Sequence, residues 1–463
     1  MENKDGDECQ ASHRAPPLAG IEPTGGIEPL AVPMAMGNMA MGNGDTTSAR
    51  RPSARWSLSD HRILVLAITA GAVAANLYYG QTLLVDMAQG LDVGESTIGA
   101  IVASTQLSYA VGLVLLVPLG DVADRRRLVS ILLAATMVVL AGVATAPNAA
   151  VLLVASIMLG LVNVTPQIAL PLAVHLSRPA DRGRVAGQIM TGLLTGILLS
   201  RTVAGIIGGQ FGWRTMYGCA AVWTAVLLVA CRRALPISPK TTDWAYRDLV
   251  ANTFLLAVRT RGLRRPMLYG FLAFAVLTGF WTTLPARLSG APFERGPTTV
   301  GLIALIGVGG ALVAPRAGRI ADMGRGRLVT LCGLLMIASS FCVLAAGRSS
   351  LVVLALGVVL LDVGYSAANS ANQQRIFASA GETAARLNTI YVVTLFAGGT
   401  LGTNAALAIW QQWGWTGVCL FGGLLASAGA AAATTDFDFR GRRVRGDGPT
   451  PSEMPTRREQ SVN

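Results

Sequence analysis

The sequence predicts an all-α membrane protein with twelve transmembrane helices in two pseudo-symmetric six-helix bundles. Three observations carry that expectation. Apolar residues make up 52% of the 463 and charged residues only 13%, and the mean hydropathy of +0.52 is too high for an ordinary soluble chain. The apolar residues gather into runs of about 20, the length that a helix needs to cross a bilayer. Features of the first half also return in the second at a nearly fixed step. Trp213 answers to Trp415 (415 − 213 = 202) and Arg184 to Arg386 (386 − 184 = 202), while Gly196 with Gly398 and Gln167 with Asn369 keep the same spacing. Correspondences at one spacing mean duplication, and paired halves around a mid-membrane site are a transporter architecture.

Taken in order, residues 1–61 hold few large apolar side chains and two short direct repeats, Gly20-Ile-Glu-Pro against Gly26-Ile-Glu-Pro and Met34-Ala-Met-Gly-Asn against Met39-Ala-Met-Gly-Asn. Such a segment buries too little surface to offset its ordering entropy, so a disordered tail is expected. Spans follow near 63–87, 96–119, 128–146, 150–176, 185–209 and 214–232 in an N-terminal bundle over 62–233. A central loop over 234–265 separates it from spans near 267–289, 297–316, 328–346, 351–376, 386–409 and 414–434, a C-terminal bundle over 266–434. The loop has apolar residues at mixed helical spacing from Trp244 to Val258, which suits either a helix on the inner leaflet or a solvated linker. Residues 435–463 read as a second disordered tail. With the Asp124 turn placed in the cytoplasm, the five connections on that side carry roughly twenty Lys and Arg against about four opposite, as positive-inside topology requires. Both termini then face the cytoplasm in a multi-pass cell-membrane protein. The same bias accounts for the net charge of +12 without nucleic acid.

Two charged turns stand out between apolar runs. The first contains Gly120, Asp121, Asp124, Arg125 and Arg127, the second Gly318, Asp322, Arg325 and Arg327, with 322 − 124 = 198. A carboxylate near a helix end beside an arginine can build a charge-assisted network that holds the halves together at the cytoplasmic side in one state. The plainer alternative is a topogenic basic stop.

These residues resemble the major facilitator superfamily, most closely its bacterial drug:proton antiporter-like branch, over about 62–434. Gly120 to Arg127 is similar to the family's loop motif between spans two and three, and Gly318 to Arg327 to its counterpart between spans eight and nine. Asn76-Leu-Tyr-Tyr-Gly-Gln81 resembles the antiporter mark in span one, with Thr82 and Val85 where prolines are usual. Ser156 stands where the family commonly has an arginine before Gly160. The glycine-rich fifth span resembles the antiporter motif there, and the resemblance implies that Gly192, Gly196 and Gly205 pack against a helix of the other half. It also implies that spans one, four, seven and ten line a central cavity, which places Asn76, Tyr78, Tyr79, Gln81, Gln167, Trp281, Thr282, Thr283, Tyr365 and Asn369 on its wall.

Two ionisable residues lie at membrane depth, Asp362 about twelve residues into span ten and Arg201 about sixteen into span five. A charge there is costly unless it faces a partner or water. The duplicated positions are Gly160 and Thr403, so the fold itself demands neither charge. Asp362 is therefore expected to exchange a proton during transport, with Arg201 a counter-charge paired to it or to Asp86 at the outer end of span one; a static salt bridge is the alternative. The expected activity is export of a small apolar or amphipathic compound in exchange for protons, with proton-coupled uptake the second reading. A non-transporting membrane sensor stands behind both. A membrane-embedded enzyme is disfavoured, since no clustered catalytic set, G-x-S-x-G or phosphate-binding loop is present. No cofactor or metal is expected: six cysteines form no C-x-x-C pair. Substrate, protons and lipid are the expected partners of a monomer.

Overall fold

Backbone amides inside a bilayer have no water to bind, which leaves helices as the way for so apolar a chain to cross. The computed structural model describes residues 60–236, 263–307, 309–380 and 384–436 together with Tyr246 and Leu249, and its regular elements are all helical. Among the described residues nine helices are long and apolar enough to span a membrane by themselves. One of them, Arg386–Thr434, has 49 residues, enough for two crossings, and it breaks at Gly414. Span 1 is assembled from Asp60–Ala75, Tyr79–Thr82 and Leu84–Gly90, and span 8 from Pro297–Gly307 followed by Gly309–Ile320. Among the described residues the tally is the expected twelve.

Local chemistry explains the ends. Asp124 caps span 3 (Arg125–Ala144) by accepting from the Arg126 N–H at 2.9 Å, and Asn148 does the same for span 4 through the Val151 N–H at 3.0 Å. Gly212 (φ 85°, ψ 157°) joins spans 5 and 6, and Gly414 (φ 55°, ψ −149°) joins spans 11 and 12. Only glycine holds that backbone readily. The two lie 414 − 212 = 202 residues apart, so the repeated Gly-Trp pair marks one tight junction used twice, with Trp213 and Trp415 both buried behind it.

Spans 1 and 4 each break midway, at Asn76–Tyr78 and at Asn163–Val164. The breaks face each other. Asn76 Nδ2 donates to Asn163 Oδ1 at 3.2 Å, and Asn163 Nδ2 donates to the Val73 carbonyl at 2.8 Å, which adds to the 3.2 Å bond that this carbonyl accepts from the Asn76 N–H at the break.

Within each half the same pairs of spans pack, 1 with 5, 2 with 4 and 3 with 6, matched by 7 with 11, 8 with 10 and 9 with 12. Between halves, span 5 meets span 8 and span 2 meets span 11. Those contacts lie at the end away from the charged turns: Thr202 Oγ1 donates to the Gly301 carbonyl at 2.9 Å, and Thr298 Oγ1 to the Gly205 carbonyl at 3.2 Å. One end of the molecule is sealed.

The tail expected over 1–61 lies outside the described residues up to 59, and so does most of the 234–265 loop. Where that loop is described, Leu249 is buried against the protein and the Tyr246 hydroxyl donates to the Leu115 carbonyl at 2.6 Å, so these two positions face the bundle. The tail expected over 435–463 lies outside from 437 onward. Asp436 corrects its start: the carboxylate is buried and pairs with Arg265 and, at 3.3 Å, with Arg375. A carboxylate that gathers cations from spans 7 and 10 cannot be part of a solvated tail.

Candidate functional site

Arg201 sits in the long unbroken span 5, Arg182–Phe211, with its side chain 6% exposed. A guanidinium at this depth needs compensation amounting to several kcal/mol. Here its faces stack on two rings, Trp281 at 4.3 Å and Tyr78 at 5.0 Å from the ring centroids, contacts worth up to about 2 kcal/mol each when desolvated. Its Nη2 donates to Gln81 Oε1 at 3.2 Å, while Nε has no partner. Among the described residues Arg201 makes no direct ion pair. The carboxylate that acts on it through space is Asp362.

Asp362, in span 10 (Leu351–Ala380), is partly exposed to the interior. The Trp281 indole lies beside the carboxylate, and its Oδ2 fills the space left by the missing side chain of Gly307. Asp362 therefore faces spans 7 and 8 within the protein rather than lipid, and Arg201 of the other half stacks on the same Trp281. Carboxylate and guanidinium come from opposite halves of the chain.

Cavities flank this layer. Toward the charged turns lies one of about 400 Å³, lined by both halves and including Asp121, Arg125, Gln167, Asn388 and Thr389. Toward the sealed end lies a second of about 250 Å³, which Thr82, Asp86, Ser289 and Glu294 help to line. An aromatic belt lies between the charged layer and the larger cavity: Tyr109 meets Phe396 at 4.5 Å, Phe396 meets Phe274 at 5.1 Å, and Phe274 meets Tyr365 at 5.9 Å between ring centroids. Tyr109 connects the two regions, being beside Gln167 on one side and Tyr78 on the other. With one end sealed and the larger cavity at the other, the molecule is in a state open toward its charged turns.

Of the expected wall, Tyr78, Gln81, Trp281 and Tyr365 gather at the centre, Gln167 lines the larger cavity, and Asn369 accepts from the Tyr391 hydroxyl at 2.8 Å. Four positions are corrected. Asn76 is spent on Asn163. Tyr79 turns into its own half and meets Tyr217 edge-on at 6.0 Å. Thr282 and Thr283 are fully buried, and their hydroxyls donate back to Thr278 and Gly279 of their own helix at 2.8 and 3.0 Å. A hydroxyl facing packed helices in an apolar medium is satisfied most cheaply by the preceding turn.

The glycine face of span 5 is corrected in part. Gly205 meets Pro297 and Gly301 of the other half, but Gly192 meets Ala67 and Gly196 meets Gly71, both in span 1 of their own half. Span 5 leaves the partner half below Arg201 because the molecule is open there. The charged turns do not bridge the halves in this state. Arg125 is buried and donates to the Gly120 carbonyl at 2.7 Å and to Asp121 at 3.0 Å, so its bonds close the first turn on itself. Arg126 ties that turn to the Arg232 carbonyl at the end of span 6. In the second turn Asp322 and Arg325 are exposed and Gly324 turns the chain with φ 80°, while Arg327 donates to the Asp436 carbonyl at 3.0 Å. Gly318 packs near Gln374.

Sequence reasoning missed Asn163, whose amide bridges the breaks in spans 1 and 4, and Gln106, a buried amide without a partner among the described residues that abuts Gly399 at the seal between spans 2 and 11. Both carry the one signal available, an amide in an otherwise apolar span.

Comparison with known proteins agrees with this architecture. The family model described as Major Facilitator Superfamily matches residues 64–403. An uncharacterized transporter of Escherichia coli O157:H7, YgaY, is 37% identical over 372 residues, covering 80% of this chain and 94% of its own. A probable transporter of Streptomyces coelicolor, SCO4007, is 32% identical over 362 residues, covering 78% of this chain and 84% of its own. Among solved structures, a mutant of the nucleoside transporter NupG superposes with a TM-score of 0.67 at 13% identity, over 82% of this chain and 100% of that one. Twelve crossings in matched halves, a charged layer between them and a match over most of the length lead to one conclusion: the chain belongs to the major facilitator superfamily and is a membrane transporter.

Proposed function

We propose that the protein is a proton-coupled secondary transporter that carries a small amphipathic compound through the space between its halves by alternating access, with both termini in the cytoplasm. The observation that carries this reading is the placement of Asp362 on one half opposite Arg201 on the other. Binding a proton at Asp362 removes an attraction between the halves, so the open and closed forms bind that proton with different affinity, which coupling requires. Gly205 and the seal around it form one gate. The turn from Gly120 to Arg127 belongs to the other, its arginine held ready within the turn while the path is open.

Export in exchange for protons is the first form of this reading, supported by the sequence marks in spans one and five. Uptake together with protons is the second, and Arg201 favours it. A ligand that competes with the proton for Asp362 gives exchange, whereas an anion seated on Arg201 binds best when Asp362 is neutral.

The test is flux in proteoliposomes under an imposed proton gradient, across a panel of neutral, cationic and anionic compounds. Asp362→Asn is expected to lower gradient-driven flux by about a hundredfold, the scale of losing a group that acts in the coupled step, while exchange of unlabelled for labelled compound continues. Full gradient dependence in Asp362→Asn would end the proposal.

A further inference from the structure

We infer that the layer around Arg201 is a receptor for the carboxylate of an amphipathic organic acid, so that the cargo of this transporter is an organic anion. This rests on the co-transport form of the reading above.

Two donors of the site are buried without a partner. Arg201 Nε is buried without a partner, and so is Nε2 of Gln81, a residue with no exposed surface at all. The two side chains are already joined through Gln81 Oε1, which holds both donors in one place. A carboxylate offers two oxygens and about four acceptor positions, and brings no donor of its own. A neutral amide offers a single oxygen and adds donors to a site that has too many. An ammonium is excluded by charge.

The rings fix the orientation. Tyr78 and Trp281 lie against the guanidinium and leave its hydrogen-bonding edge for the ligand. The belt of Tyr109, Phe274, Phe396 and Tyr365 then offers an apolar bed to the body of the acid. A single guanidinium suits one negative charge and is too little for a phosphate dianion.

The groups that act on Arg201 are Tyr78 from span 1 and Asp362 and Tyr365 from span 10. While Asp362 is ionised, the layer is neutral and offers an incoming anion no net attraction. Once Asp362 takes a proton, Arg201 stands as an uncompensated cation, and the anion restores neutrality. Proton and acid therefore bind together, and their order of release is the same.

The experiment uses the full-length protein in lipid nanodiscs, with phenylbutyrate and its amide as probes in calorimetric titrations at mildly acidic pH. The acid is expected to bind at least about tenfold more tightly than the amide, the scale of one charge-assisted pair, and its advantage shrinks as pH is raised. Arg201→Gln is expected to remove the advantage, so that acid and amide bind alike. Equal affinities in the unmodified protein, or an advantage that survives in Arg201→Gln, would overturn the inference. Should Arg201→Gln fail to fold, the pH-dependent preference of the unmodified protein still decides, and Gln81→Leu is expected to cut acid affinity about threefold by removing one donor. Flux separates the two claims: neutral compounds carried under a proton gradient with no preference for acids would sink the anion receptor alone. No flux of any compound would remove the transporter mechanism with it.

Discussion

Where the C-terminal half carries Asp362 the N-terminal half has Gly160, and where span 8 has Gly307 span 2 has Thr105, each pair 202 residues apart (362 − 160 and 307 − 105). The duplicated helix pairs thus use the same two positions with large and small exchanged. In the first half the glycine is on span 4, and span 2 closes on it with the Thr105 carbonyl and with the Tyr109 amide 2.9 Å from where a Cβ would stand. In the second half the glycine is on span 8, and the space it leaves seats the Asp362 carboxylate. One half spent the position on backbone packing, the other on holding a charge in place. The difference shows how a duplicated scaffold acquires an asymmetric centre without a new helix: a side chain and the hole that receives it swap sides.

The largest effect that would break this comparison is Gly160→Ala. The added methyl meets backbone that cannot step aside, and overpacking of this kind costs about 1–3 kcal/mol. The expected outcome is a clear drop in thermal stability in detergent, by several degrees; a stability equal to that of the parent would show that the two positions are not differently used. Gly307→Ala meets only the end of a flexible carboxylate, so the fold is expected to hold while proton-driven flux falls about tenfold, the effect of a catalytic-scale group displaced by a fraction of an ångström. Unchanged coupling in that variant would mean that the seat does not position Asp362. Gly205→Ala is the smallest change. Its methyl would press on the Pro297 carbonyl of the other half, and the halves relieve that by parting, a shift of about 1 kcal/mol toward the form open at the sealed end. Faster labelling of an introduced Thr298→Cys is the measurement; slower labelling would place the contact elsewhere in the cycle.

The charged turns make a second contrast. Each ties an arginine to a carbonyl at the end of its half, Arg126 to Arg232 and Arg327 to Asp436. Among the described residues the first buries an arginine within the turn, and the second leans on a buried carboxylate that also binds Arg265 and Arg375. The motif is copied, and the support beneath it is not.

Twelve crossings, two related halves and the unusual depth of Arg201 and Asp362 were legible in the chain because each rests on composition and spacing. The Gly-Trp junctions were legible as a repeat, though not as the left-handed turns at Gly212 and Gly414 that explain it. The cavity wall was legible only by span. Tyr79 and Thr282 sit on the expected spans, yet rotation about the helix axis decides which neighbours face the interior, and nothing local records that rotation.

Sequence by itself determined how many times this protein crosses the bilayer and which residues lie too deep to be charged without purpose. Tertiary structure alone decided that Gly192 and Gly196 serve their own half while Gly205 serves the other, that Asp362 is seated by Gly307, and that Arg201 and Gln81 meet with buried donors to spare. The reason is physical. Crossing a membrane is a property of each segment's own transfer from water, whereas a partner for a side chain exists only once separate segments are packed together.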